Sequence, residues 1–89
     1  MVTDLPDLTL ADTVQIREAI RAGLPPACKK LALDFASQKT IDSRGLGLLV
    51  ALHKTLRSRD GQVRLCQPTP AVLNVLAMTR LDRIFEIVA

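Results

Sequence analysis

Two short runs, Leu31-Ala32-Leu33-Asp34-Phe35 and Val63-Arg64-Leu65-Cys66, repeat apolar residues at every second position, and a stretch with the apolar spacing of a helix follows each. A two-residue period turns one side of a strand toward a core, whereas spacings of three and four turn one side of a helix. From Ser43 to Arg59, steps of about 100° per residue bring Leu46, Leu49, Leu52, His53 and Leu56 to one side. Arg44, Gly47, Lys54, Thr55 and Ser58 fall on the opposite side. Strands separated by helices of this length need crossover connections, so the sequence predicts an α/β fold with a largely parallel sheet packed against helices.

The flanking segments extend the alternation. Between Thr9 and Gly23, Thr9 and Asp12 read as a capping box, and Ile16, Ala19, Ile20 and Leu24 form an apolar stripe that ends before Pro25 and Pro26. Ala36 to Thr40 reads as a polar loop, and Gly61 after Asp60 as a helix terminator. Thr69 can cap a third helix with Pro70 in its first position, where the missing N–H costs nothing. Val72, Leu73, Val75, Leu76 and Met78 then form the predicted buried stripe, and Ile84 to Val88 a last strand. The expected core contains Leu31, Leu33, Phe35, Leu49, Leu56, Val63, Leu65 and Leu76.

Composition narrows the function classes. A chain of 89 residues, 48% hydrophobic, supports one domain spanning 1–89 and one core. With no Trp or Tyr and only two Phe, it lacks the aromatic platforms on which nucleic-acid bases stack. The formal charge of +3 is spread along the chain, with Lys29 and Lys30 its only adjacent basic pair. A nucleic-acid site would have to rest on Lys29, Lys30, Lys54, Arg57 and Arg59; a solvated basic surface accounts for them, and no nucleic-acid partner is expected. No apolar run approaches the ~18 residues needed to cross a bilayer, and Met1 to Thr9, with Asp4 and Asp7, lacks the order of a signal peptide. A cytoplasmic protein without membrane insertion is expected.

Catalytic and metal chemistry find little support. Cys28 and Cys66 lie far apart with no metal-ligand or redox spacing, so both are expected as reduced thiols. His53 falls on the apolar side of its helix without a second ligand nearby, as a packed histidine would. Asp42 is the only acid adjacent to Ser43, and a hydrolase would need a base and an oxyanion hole that no other segment suggests. The expectation is a non-enzyme with no catalytic residue, metal or cofactor.

The informative segment is Ile41-Asp42-Ser43-Arg44-Gly45-Leu46-Gly47, which sets a hydroxyl where a loop enters a helix and two glycines in the first turn. Each glycine costs a helix ~1 kcal/mol relative to alanine. Either the backbone requires them, or their missing side chains leave a flat surface for a protein approaching Ser43. Ser43 can equally serve as the N-cap, worth ~1 kcal/mol.

Asp12 to Val88 resembles the STAS domain shared by sulfate transporters and anti-sigma-factor antagonists. The resemblance is carried, in order, by Leu31-Ala32-Leu33-Asp34-Phe35, Ile41-Asp42-Ser43-Arg44-Gly45-Leu46-Gly47-Leu48-Leu49-Val50, Pro68-Thr69-Pro70-Ala71-Val72 and Leu81-Asp82-Arg83-Ile84-Phe85. In antagonists of this family the first Ser of an Asp-Ser-Ser-Gly motif is phosphorylated by a partner that is both anti-sigma factor and serine kinase. The resemblance implies that Ser43 is that serine. It further implies that the unphosphorylated domain binds the kinase, that the phosphorylated domain releases it, and that a serine phosphatase restores the first state. Asp42, Ser43, Arg44, Gly45, Gly47 and Lys54 are the expected partner-binding residues. A phosphate on Ser43 adds about −1.5 to −2 charges at a helix N-terminus, where an anion is tolerated, while a partner interface would have to desolvate it.

The chain departs from the family pattern at three places. Arg44 stands where the second Ser is usual, the opening β-hairpin is shortened to at most one short strand, and the sequence stops at Ala89 before the usual final helix. An exposed sheet edge makes a homodimer an expectation too. The alternative that the same resemblance implies is a constitutive structural subunit of a lipid or anion transport assembly, with Ser43 only capping its helix.

Overall fold

The computed structural model describes residues 2–5, 8, 12–25 and 27–88, residues 2–4 by their backbone. Strand β1 (Val2–Asp4) precedes helix α1 (Thr13–Gly23), strand β2 (Lys30–Asp34), helix α2 (Ser43–Arg57), strand β3 (Gln62–Cys66), helix α3 (Pro70–Met78) and strand β4 (Glu86–Val88). A 3-10 turn at Leu81–Arg83 shortens the last strand relative to the expected Ile84 to Val88. The sheet order is β1-β2-β3-β4 and every pair is parallel, with Leu31 opposite Val63, Leu33 opposite Leu65 and Leu65 opposite Ile87. Where the family pattern opens with a hairpin, the described residues show the single strand β1, parallel to β2.

Alternation along β2 and β3 buries Leu31, Leu33, Val63 and Leu65 completely and leaves Ala32, Asp34, Arg64 and Cys66 half-exposed. Ile20 of α1, Leu48, Leu49, Leu52 and Leu56 of α2, and Val72 and Leu76 of α3 join those strand residues in one core cluster. All three helices therefore cover the same face of the sheet. On the other face, Arg64 reaches Glu86 of β4 in an ion pair at 3.0 Å. All eight expected core residues are buried.

The ends of the helices explain most of the differences from expectation. Helix α1 starts at Thr13 because the Asp12 side chain accepts hydrogen bonds from the Val14 and Gln15 backbones, so Asp12 is the N-cap; Thr9, the other half of the expected capping box, lies outside the described residues. Helix α2 ends in a paired turn in which the Gly61 N–H bonds the Leu56 carbonyl at 2.7 Å and the Asp60 N–H bonds the Arg57 carbonyl at 3.1 Å. The left-handed residue there is Asp60, at φ 56°, and not the glycine. Gly61 is needed for close approach, since a Cβ would lie 2.5 Å from the Lys29 carbonyl oxygen.

In α3 the expected stripe was too wide. Val72 and Leu76 are buried, whereas Leu73 is exposed and Met78 is 76% exposed. With one polar residue in nine, Asn74, the helix carries no contrast from which its inner face could be read. Leu48, omitted from the expected α2 stripe, is buried. Leu49→Ala should cost about 2–5 kcal/mol in urea unfolding, against less than about 0.5 kcal/mol for Met78→Ala. Equal costs would contradict this core.

Candidate functional site

Parallel strands deliver every loop that enters a helix to one edge of the sheet, beyond the strands' carboxyl ends. Asp12, Asp42 and Thr69 each cap a helix there, the last by accepting from the Val72 N–H. The loops are tied together by Gln38, the only buried polar residue among those described. Its Oε1 accepts from the Leu8 N–H at 3.1 Å, its Nε2 donates to the Leu5 carbonyl at 3.4 Å, and its own carbonyl accepts the Thr69 hydroxyl at 2.9 Å. Gln38 thus joins the loops before α1, α2 and α3. The sequence offered no signal for it, because its partners are backbone groups and a side chain some thirty positions away.

Helix α2 begins beside this junction. Asp42, and not Ser43, is the N-cap: its Oδ1 accepts from the Arg44 N–H and the Gly45 N–H, both at 3.1 Å. Ser43 is the first helical residue, exposed, and its hydroxyl makes no hydrogen bond among the described residues. Capping is thereby separated from the serine. Arg44 is exposed and its Nη2 meets the Asp42 Oδ2 at 3.3 Å, an offset to a cation placed at the positive end of a helix dipole. The Gly45 N–H foremost, then the hydrogen bond and charge of Arg44, holds the Asp42 carboxyl below its ordinary 3.8 against the opposing effect of desolvation.

The two glycines have different reasons. Gly45 is buried against Ile41 and Leu8, and an added Cβ would lie 2.6 Å from Ile41 Cγ1, so the expectation that it faces a partner is corrected: the fold itself requires its small size. Gly47 is exposed and a Cβ there would meet nothing within 4 Å. Ser43, Arg44, Gly47 and Lys54 share the outer surface of α2, with Asp42 half-buried at its start. His53 is half-buried and sits edge-on to Phe85 with ring centroids 5.7 Å apart. Cys28 and Cys66 are both free, and Cys28 Sγ donates to the Lys30 carbonyl. No helix among the described residues is long and apolar enough to cross a membrane.

The sheet is parallel, its helices lie on one face, and an exposed serine opens α2. The chain belongs to the STAS domain family: the family model described as "Mlab, STAS domain" matches residues 6–89. It is similar to the "Putative anti-sigma factor antagonist" of Thermotoga maritima, 38% identical over 58 residues, which cover 65% of this chain and 51% of that protein. It is also similar to the "Anti-sigma F factor antagonist" of Paenibacillus polymyxa, 28% identical over 74 residues, covering 83% of this chain and 61% of the relative. The chain thus spans only half to three-fifths of the length of these relatives. The crystal structure of the Thermotoga maritima protein superposes with a TM-score of 0.83 at 27% identity, covering 99% of this chain and 79% of the other.

The capping geometry predicts opposite behaviour for adjacent residues. Asp42→Ala should lower the melting temperature at pH 7, whereas Ser43→Ala should change stability by less than about 0.5 kcal/mol. A carboxyl held below its ordinary value stabilises the fold above that value and loses its contribution as pH falls through the lowered one. The difference between wild type and Asp42→Ala should therefore shrink as the pH falls below 3.8. A Ser43→Ala loss as large as that of Asp42→Ala would return the cap to Ser43.

Proposed function

We propose that this chain is a phosphoswitch of the anti-sigma-factor antagonist type. Unphosphorylated, it binds an anti-sigma factor that is also a serine kinase; phosphorylated on Ser43, it releases that partner until a serine phosphatase removes the group. The observation that carries the reading is the division of labour at α2, where Asp42 caps the helix and the exposed Ser43 hydroxyl makes no hydrogen bond among the described residues. The names of the curated relatives support the same role. Asp42, Arg44 and Gly47 beside the serine, with Lys54 further along the same side of α2, form the partner surface, and the partner supplies nucleotide and catalysis.

The switch works by charge. A phosphate of about −1.5 to −2 charges at the first helical position is accepted by the helix dipole, so the fold persists. A partner packed on the neutral hydroxyl would have to desolvate the new anion, and ~3 kcal/mol of penalty weakens binding by more than a hundredfold. Arg44, within reach of Asp42, can turn its guanidinium to the phosphate and soften that contrast. The second reading, a constitutive subunit of a lipid or anion transport assembly, is favoured by Arg44 standing where the antagonists' motif has serine.

The test is affinity for the purified anti-sigma factor kinase of the source organism, with mass-spectrometric mapping of Ser43. Ser43→Ala should bind like wild type and resist release by ATP, and Ser43→Asp should bind at least tenfold more weakly. Equal affinities for all three, with Ser43 unmodified in cells, would leave the constitutive subunit. Arg44→Ser should make release on phosphorylation sharper and reduce the stability that phosphorylation adds, both read across a salt series.

A further inference from the structure

Helix α2 carries Arg44, His53, Lys54 and Arg57 and not one carboxylate in fifteen residues. On its outer side Ser43, Gly47, Val50, Lys54 and Arg57 follow one another at steps of four, three, four and three. Such steps keep residues in line along a helix, over about 21 Å here. Every member is exposed except Val50, which is half-buried. The line has a gradient: a hydroxyl and an open glycine at the helix N-terminus, where the neighbouring Arg44 is offset by its ion pair with Asp42, a small apolar residue at the centre, two cations at the C-terminus. Among the described residues neither Lys54 nor Arg57 takes part in an ion pair.

This pattern suits one kind of occupant. In-line spacing with a glycine at the second step admits a helix at the short interaxial distances of about 8 Å, since nothing stands within 4 Å of a Cβ at Gly47. The charge gradient then sets its direction. A helix favours carboxylates in its own first turn and has the negative end of its dipole at its C-terminus. Laid antiparallel on α2, such a helix brings first-turn carboxylates to Lys54 and Arg57 and its C-terminal end to Ser43. Laid parallel, it would bring its negative end to the two cations but leave its first-turn carboxylates beside Asp42.

Resting on the phosphoswitch reading above, we propose that the partner engages this chain through an amphipathic helix, acidic in its first turn, packed antiparallel along Ser43, Gly47, Val50, Lys54 and Arg57. The orientation explains why phosphorylation releases it. The phosphate appears opposite the negative end of the partner helix, while the cations that held the other end are about 20 Å away, too far to compensate across more than a Debye length.

The experiment uses the full chain and the same purified anti-sigma factor kinase. Lys54→Glu and Arg57→Glu should each weaken binding roughly tenfold at low salt and flatten its salt dependence, and Gly47→Leu should weaken it without lowering the melting temperature. Arg83→Glu, the same charge change on the exposed 3-10 turn, should bind like wild type. A photocrosslinking residue at 57 should label an acidic partner peptide about ten residues N-terminal to the peptide labelled from position 47. Binding that Ser43→Asp abolishes but Lys54→Glu and Arg57→Glu leave intact overturns this inference and spares the phosphoswitch. The reverse peptide order overturns the antiparallel arrangement. Equal binding by wild type and Ser43→Asp, or none by either, overturns the phosphoswitch and this inference with it.

Discussion

Burial of one side of two adjacent strands beneath three helices is the constraint on which the rest of this molecule depends. Leu31, Leu33, Val63 and Leu65 are shut off from solvent on that side, and each helix supplies apolar residues to the same cluster. Apolar burial contributes about 25 cal/mol per Å² and does not depend on direction, so it alone would permit many arrangements. Parallel pairing makes the arrangement specific. Each strand must return by a helix to the same starting edge, and every helix therefore begins at the opposite edge, where Asp12, Asp42 and Thr69 cap their helices.

That edge also carries the loop before α2, with Ser43 just beyond it. Gln38 satisfies backbone groups of the loop before α1 and receives the α3 cap hydroxyl, so the loop leading to Asp42 is held from both sides. Buried amides left without partners cost more than paired ones return, and such a junction has few alternative geometries. Gly45 completes it by letting α2 sit against Ile41 and Leu8. Ser43 inherits a fixed position from these contacts while taking part in none of them. A group that is held in place without bearing load can change its charge without unfolding its surroundings.

The two glycines of the first turn show how one local pattern can serve two purposes. Gly45 answers to the inside of the molecule and Gly47 to the outside, although they lie two residues apart, because a helix rotates by about 200° in two steps. Arg44 lies between them, beside the carboxylate that caps the helix. Its pairing with Asp42 is exposed and worth little to stability.

From α1 to β4, periodicity determined the order of strands and helices and the inner faces of β2, β3 and most of α2, because side-chain direction follows from residue number once the element type is known; β1 was allowed for only by the family pattern. The segment Ile41 to Gly47 was equally legible as a loop that enters a helix with a hydroxyl at its start. Which residue caps α2 was not, since aspartate and serine are both good N-caps and adjacent, and one carboxylate geometry accepting two N–H groups decides between them. Nor was the inner face of α3, where an almost wholly apolar sequence lets packing alone choose Val72 and Leu76 over Leu73 and Met78. Gln38 and Gly61 belong entirely to the tertiary structure: the first is defined by partners about thirty residues distant, the second by the close passage of the Lys29 carbonyl. Sequence spacing reports contacts between near neighbours in the chain, and those two roles arise only when distant segments are brought together.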